Sequence, residues 1–194
     1  MTALALIDLD YGNVESVRLG FARLGVEAER TRDPSVVASA ERVILPGVGN
    51  AAYAMEKLVD AGLDDVLRNR TGPTLGVCVG MQLMFESSEE AQRPLLGILP
   101  GRVRALDAAP GRPVPHMGWT RLEDVRPALG LEDDDHVYFA HSFACPSSAA
   151  DAACASYGRP LPAIVREAAF WGAQFHPERS STPGANFLKA FLAL

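Results

Sequence analysis

Cysteine is scarce in this chain of 194 residues: there are three, Cys78, Cys145 and Cys154. Their number is odd and no pair has a short, regular spacing, so a disulfide framework and a zinc knuckle are both disfavoured. Basic residues are in the minority, with 18 Lys+Arg against 24 Asp+Glu and a formal net charge of −6. Phosphate affinity comes largely from Lys and Arg, so no nucleic-acid partner is expected. No apolar run approaches ~18 residues, so no membrane span is expected. The N-terminus has no basic region before its apolar run, and Asp8 and Asp10 interrupt that run early. It does not read as a signal peptide, and a reducing, cytoplasmic setting is the simplest expectation. Hydrophobic residues make up 48% of the chain, enough for a full core without staples and too many for disorder. One domain over residues 1–194 is expected from the length.

The order of patterns along the chain argues for an α/β fold. Ala3–Leu9 reads as a buried strand running into the loop Asp10-Tyr11-Gly12-Asn13. Asn13 is placed to cap a helix from Val14 to Leu24, with Val14, Val17, Phe21 and Leu24 on one face and Gly25 as its stop. Further strands are expected at Val26–Thr31, Arg42–Leu45 and Pro73–Val77. Helices are expected after Pro34, over Ala51–Arg70 and from Met81 to Phe85. Strand–helix alternation of this kind predicts a mostly parallel sheet with helices on both faces. The second half has short strand candidates at Val103–Leu106, Val114–Trp119, His136–His141, Ala152–Tyr157, Ala163–Arg166 and Ala169–Phe175. They suggest an antiparallel extension. A helix near Gly184–Leu192 closes the chain, and Asp107–Gly111 and Ser147–Ala153 read as surface loops.

The most informative segment is Gly76-Val77-Cys78-Val79-Gly80, between a buried strand and a helix. A nucleophile at such a sharp turn projects outward, and glycine on both flanks removes the collisions that side chains would cause there. The following helix start favours a thiolate and offers the Val79 N–H to a developing oxyanion. Cys145 and Cys154 lack this context and read as structural or incidental.

A cysteine nucleophile needs a base, and the base an orienting group. His176 ends the strand candidate Ala169–Phe175, at the sheet edge where α/β folds place ligands. Pro177 keeps His176 extended, so Glu178 faces the same side and can hold one imidazole nitrogen while the other faces Cys78. By itself the tripeptide reads equally well as a solvent-facing loop. The elbow gives it a partner. His116 and His141 have no accompanying ligand spacing, so no metal and no cofactor are expected.

Gly76–Gln82 together with Gln174-Phe175-His176-Pro177-Glu178 resembles the class I glutamine amidotransferase family, whose sheet is flavodoxin-like. Leu45-Pro46-Gly47-Val48-Gly49 is similar to its oxyanion-loop motif. Asp10–Asn13, Pro115–Trp119, Tyr138–Phe143 and His176–Ser180 resemble the branch of glutaminase subunits of imidazole glycerol phosphate synthase. Thr120 stands where that branch commonly has Asn, and the Asp10–Asn13 loop is shorter than its common form. The resemblance implies hydrolysis of L-glutamine by Cys78, His176 and Glu178. It implies an oxyanion hole from Val79, Gly47 and Val48, and substrate contacts from Gln82, Ser142 and Phe143. It also implies a (β/α)8-barrel cyclase partner contacted through Trp119, Arg179 and Asn13. Two alternatives share the triad: a glutaminase subunit for anthranilate or pyridoxal phosphate synthesis, and a stand-alone γ-glutamyl hydrolase. A catalytically silent binding module on the same fold is a third.

Overall fold

A computed structural model describes residues 3–10 and 12–194. The strands are β1 (Leu4–Ile7), β2 (Glu29–Thr31), β3 (Arg42–Leu45), β4 (Thr74–Val77), β5 (Phe85–Ser88) and β6 (Leu99–Ala105). Then come β7 (His116–Glu123), β8 (His136–His141), β9 (Phe143–Ala144), β10 (Asp151–Ser156), β11 (Pro160–Glu167) and β12 (Phe170–Ala173). The helices are α1 (Val14–Ala22), α2 (Pro34–Ser39), α3 (Ala51–Asp60), α4 (Asp64–Arg68), α5 (Val79–Gln82) and α6 (Ser181–Leu192), with a 3₁₀ turn at Pro177–Arg179.

Nine strands form one mixed sheet in the order β2-β1-β3-β4-β12-β11-β10-β7-β8. From β2 to β12 the pairing is parallel, and from β12 to β8 it is antiparallel. The expected parallel sheet with an antiparallel extension is therefore present. The strand order reverses at β1, so right-handed crossovers place α1 on one face and α2 to α4 on the other. β1, β4 and β12 are buried at every position. With both faces covered, such strands read as unbroken apolar runs. β7 and β8 alternate buried and open positions, because one of their faces is only partly covered.

The structure differs from the sequence reading in several places. The helix expected over Ala51–Arg70 breaks into α3 and α4, where Gly62 takes φ +67°. That left-handed conformation ends the first segment. The helix expected from Met81 ends at Gln82, and Phe85 begins a strand instead. β5 pairs with β6, and β6 with β9, in a second sheet, with Met81, Met84, Phe85, Leu99 and Val103 in its core. Burial against these neighbours overrides the helical pattern of Met81–Phe85. The Ser147–Ala153 loop is also partly strand. Ala150, Ala152 and Ala153 are buried, with β10 between β11 and β7. Asn13 occupies the N-cap position of α1 but makes no side-chain cap bond, because its backbone (φ −92°, ψ 49°) is not extended. Asn50 does cap α3, accepting from the Tyr53 N–H. Tyr11, part of the Asp10–Asn13 motif, lies outside the described residues.

The strand order gathers four loops at one sheet edge. Gly12 follows β1, Gly47 follows β3, Cys78 follows β4 and His176 follows β12. This is the carboxyl edge beside the reversal of strand order, where open α/β sheets bind ligands. Phe175, just before His176, is fully buried against Phe139 and Phe187, with ring centroids 6.0 and 5.5 Å away. That packing anchors the chain where it delivers the histidine.

Candidate active site

Cys78 has φ 54° and ψ −107°, a conformation outside the ordinary basins for a non-glycine residue. Such a residue costs roughly 1–3 kcal/mol and persists only where its surroundings hold it. Its N–H donates to the Ala173 carbonyl on β12 at 2.7 Å. The flanking glycines are required sterically. A Cβ on Gly76 would lie 2.5 Å from the Gly80 carbonyl oxygen, and one on Gly80 would lie 1.9 Å from the Leu45 carbonyl oxygen. The elbow inferred from the sequence is present, and Gly80 lets α5 start directly against the end of β3.

His176 is locked from both sides. Its N–H donates to the Tyr138 carbonyl at 2.9 Å. The Ser180 hydroxyl donates to the His176 carbonyl at 2.7 Å and accepts from the Tyr138 N–H at 2.9 Å. The His176 Nδ1–H donates to Glu178 Oε1 at 2.9 Å, and the two side chains are only 5% and 2% exposed. Nε2 is left unengaged by Glu178, and Cys78 is close enough to act on the ring. Burial by itself would lower the imidazole pKa. The hydrogen bonds and charges of Cys78 and Glu178 outweigh burial and push it up to about 10. An imidazolium paired with sulfur on one side and carboxylate on the other is the state this geometry favours. Gly20 on α1 makes room for Glu178, since a Cβ there would come within 2.9 Å of the Glu178 Cβ.

The Gly47–Val48 loop lies against the elbow. Gly47, Val48 and Val79 do come together, but the Val79 N–H donates to the Gly47 carbonyl oxygen at 3.3 Å. The donor that the resemblance assigns to an oxyanion is thus occupied by a carbonyl of the loop assigned to assist it. A Cβ on Gly47 would lie 2.9 Å from Val79 Cβ, and one on Gly12 would lie 3.5 Å from the Val48 nitrogen. The loop is therefore packed between the elbow and the β1–α1 loop.

A cleft of about 250 Å³ opens over the cysteine, lined by Cys78, Val79, Gln82, Ser142 and Phe143 among others. Gln82 is buried and donates from Nε2 to the Phe143 carbonyl and to Gln174 Oε1, both at 3.1 Å. Only its own oxygen remains for a ligand. Two neighbours of the cleft, and the pairing of two histidines, escape the sequence reading. Glu90 lines the same cleft, and its Oε2 accepts the Ala51 N–H at 2.6 Å. No motif marks it, since it sits in a polar Glu-Glu turn after an unforeseen strand. Gln174 faces Cys78 from inside the Gln-Phe-His-Pro-Glu motif. The two histidines are a buried pair, His116 and His141, whose Nδ1 and Nε2 lie 3.1 Å apart. The His141 Nδ1–H donates to the Phe143 carbonyl, so its Nε2 accepts from His116, and Thr120 donates to the far nitrogen of His116. Burial first, then the charges of His116 and His176, drive the His141 pKa down to about 4. The pair is therefore neutral and structural at physiological pH. Among the described residues no group of three or more His, Cys, Asp or Glu could hold a metal.

Of the residues expected to meet a partner, Trp119 is 53% exposed and Met117, its neighbour on β7, is 64% exposed. Trp119 is not a core aromatic. Its ring meets Tyr138 edge-on at 6.0 Å, and the Arg179 guanidinium sits 5.7 Å from the same tyrosine ring. Asn13 lies at the start of α1, half-buried. No helix among the described residues is long and apolar enough to cross a membrane.

The parallel sheet edge thus carries a strained cysteine elbow beside a buried His–Glu pair, and the sequence itself places the chain in a family. Residues 5–193 match the family described as glutamine amidotransferase class-I, and the chain belongs to that family. The relatives narrow the placement. The chain is 47% identical to the imidazole glycerol phosphate synthase subunit HisH of Xylella fastidiosa strain Temecula1, covering 100% of this chain and 98% of that protein. It is 46% identical, with the same coverage, to the HisH subunit of Xanthomonas campestris pv. campestris. In fold it is similar to a crystal structure of a glutamine amidotransferase, with a TM-score of 0.78 at 20% identity over 98% of this chain and 97% of that one. The crystal structure of a putative GMP synthase subunit from Thermoplasma acidophilum gives 0.76 at 18% identity, over 100% of this chain and 93% of that one.

Proposed function

We propose that this chain is the glutaminase subunit of imidazole glycerol phosphate synthase, one catalytic domain over residues 1–194, working in the cytoplasm. The observation that carries the reading is the buried Cys78–His176–Glu178 arrangement in a chain similar to HisH subunits along its whole length. The Cys78 thiolate attacks the side-chain amide carbon of L-glutamine. His176 protonates the departing nitrogen, so ammonia rather than an amide anion leaves. His176 then takes a proton from water, which cleaves the thioester and releases glutamate. Glu178 holds the imidazole orientation and stabilises its charged form. The Gln82 side-chain oxygen and the Ser142–Phe143 segment hold the amino-acid end, and the Glu90 carboxylate faces the substrate ammonium. No cofactor is needed for these steps.

For the oxyanion, the Gly47–Val48 peptide has to turn, which withdraws the Gly47 carbonyl from the Val79 N–H and presents the Val48 N–H. One such donor is typically worth about 3–4 kcal/mol of barrier. The closed loop therefore gives weak hydrolysis until something turns it. A (β/α)8-barrel cyclase subunit, forming a heterodimer across Trp119, Arg179 and Asn13, is placed to do so. Asn13 adjoins Gly12, and Gly12 rests on Val48. A groove of about 610 Å³ beneath Trp119, bordered by Arg23, Arg179 and Lys189, suits an acidic partner surface. The cyclase consumes the ammonia, giving imidazole glycerol phosphate and aminoimidazole carboxamide ribotide.

The test uses the complex with Cys78→Ala. Glutamine-dependent synthesis should vanish while ammonia-dependent synthesis persists. Loss of both would make Cys78 a structural residue and remove the reading.

A further inference from the structure

Gln174 is 1% exposed and ends two residues before His176. Its neighbours leave its amide one orientation. The Phe143 carbonyl can only accept, and it already receives the His141 Nδ1–H at 2.8 Å. Gln82 must therefore present its NH₂ group there, at 3.1 Å, and its second hydrogen goes to Gln174 Oε1, also at 3.1 Å. With its oxygen turned toward Gln82, Gln174 directs Nε2 at Cys78 Sγ, 3.7 Å away. On another side, Sγ lies 3.8 Å from the Ala140 carbonyl oxygen. The two neighbours act on opposite protonation states. A carbonyl can pair only with S–H, whereas an amide NH₂ donates to the lone pairs of a thiolate.

We propose that Gln174 is a positioning residue that holds the Cys78 sulfur as a thiolate and turns it toward His176, with Gln82 fixing its polarity. The inference rests on Cys78 being the nucleophile. In the acylation step the N–H of Gln174 keeps a larger fraction of sulfur deprotonated. In thioester hydrolysis it assists sulfur as the leaving group, since a stabilised thiolate leaves faster. Other charged or titratable groups also face this sulfur or its cleft. They are His176 with Glu178 behind it, His141 from β8, Cys145 just after β9 and Glu90 across the opening. None of them donates to sulfur from the Gln174 side.

The test is the pH profile of Cys78 alkylation by iodoacetamide, followed by peptide mass on the full chain, for wild type, Gln174→Met and Gln174→Glu. The methionine removes the donor at similar size. The glutamate keeps an acceptor for Gln82 but places a carboxyl group by the sulfur. In Gln174→Met the alkylation midpoint should rise by about one pH unit and the rate at pH 7 fall roughly tenfold, one unit being a tenfold change in thiolate fraction. Gln174→Glu should shift further in the same direction. With glutamine and the partner subunit, Gln174→Glu, which keeps the acceptor for Gln82, should lower kcat while KM stays within about twofold. If Gln174→Met does not fold, judged by thermal melting, the closer isostere Gln174→Glu decides alone. A wild-type alkylation profile in a folded variant overturns the proposal. That outcome leaves the glutaminase reading standing, because that reading falls only with the Cys78→Ala result.

Discussion

The two halves of this candidate active site are in different states. The nucleophile half is assembled: Cys78 stands in its elbow, and His176 and Glu178 are buried, paired and tied to β8. The oxyanion half is gathered but closed, with the Gly47 carbonyl on the Val79 N–H. The difference follows from what holds each half. The elbow is enforced by hard contacts, with Gly80 against Leu45 and Gly76 against Gly80, and by a short hydrogen bond to β12. The oxyanion loop is held by one 3.3 Å hydrogen bond and by packing against two other loops. One long hydrogen bond is worth about 1 kcal/mol net, small enough for a partner contact to overcome. On the proposed function, activation of Cys78 and stabilisation of the oxyanion are physically separable.

Substitutions in each half can sharpen that contrast. The largest effect belongs to Cys78→Ala, which should reduce glutamine hydrolysis to background in any complex, measured by glutamate release. Glu178→Gln should cost on the order of a thousandfold in kcat, because the imidazole loses its charge partner and its preferred tautomer. Gly80→Ala addresses the rigid side. Its Cβ would collide with the Leu45 carbonyl, so the midpoint of thermal unfolding should fall by an amount equivalent to about 3 kcal/mol. Should Gly80→Ala leave stability unchanged, the elbow is softer than the contacts imply. Trp119→Ala lies outside both halves. It should leave the basal hydrolysis of the chain alone unchanged and weaken partner binding by about 2 kcal/mol in a titration, as exposed aromatic anchors do.

Stability should also depend on pH. The His176 pKa is raised from 6.5 to about 10 in the folded chain. Its contribution is therefore fully present below pH 6.5 and is lost as pH rises through about 10. Unfolding by denaturant should show stability declining across that alkaline interval, and the decline should flatten in Glu178→Gln.

The parts of the site written into short backbone constraints were legible in the sequence. Gly76 and Gly80 mark the elbow, Pro177 fixes the approach of Glu178 to His176, and the strand–helix alternation places both at one sheet edge. What escaped depends on contacts far apart in the chain. Glu90 reaches the site by capping a helix 39 residues away, and Gln174 meets Cys78 across 96 residues. The orientation of the Gly47–Val48 peptide is tied to a hydrogen bond from Val79, on a different element. The second sheet was hidden because Phe85 continues a run of apolar residues from the elbow helix. Only its burial with Leu99 and Val103 makes it a strand.

The most direct measurement compares two reactions of Cys78 in the chain alone and in the complex with cyclase and its nucleotide. Alkylation by iodoacetamide needs only a thiolate, whereas glutamine hydrolysis also needs the oxyanion hole. Alkylation at pH 7 should run at the same rate in the chain alone and in the complex, while hydrolysis should rise by about a hundredfold or more, the worth of one oxyanion donor. Full hydrolysis by the chain alone, or alkylation that accelerates in step with hydrolysis, would contradict the separation of the two halves.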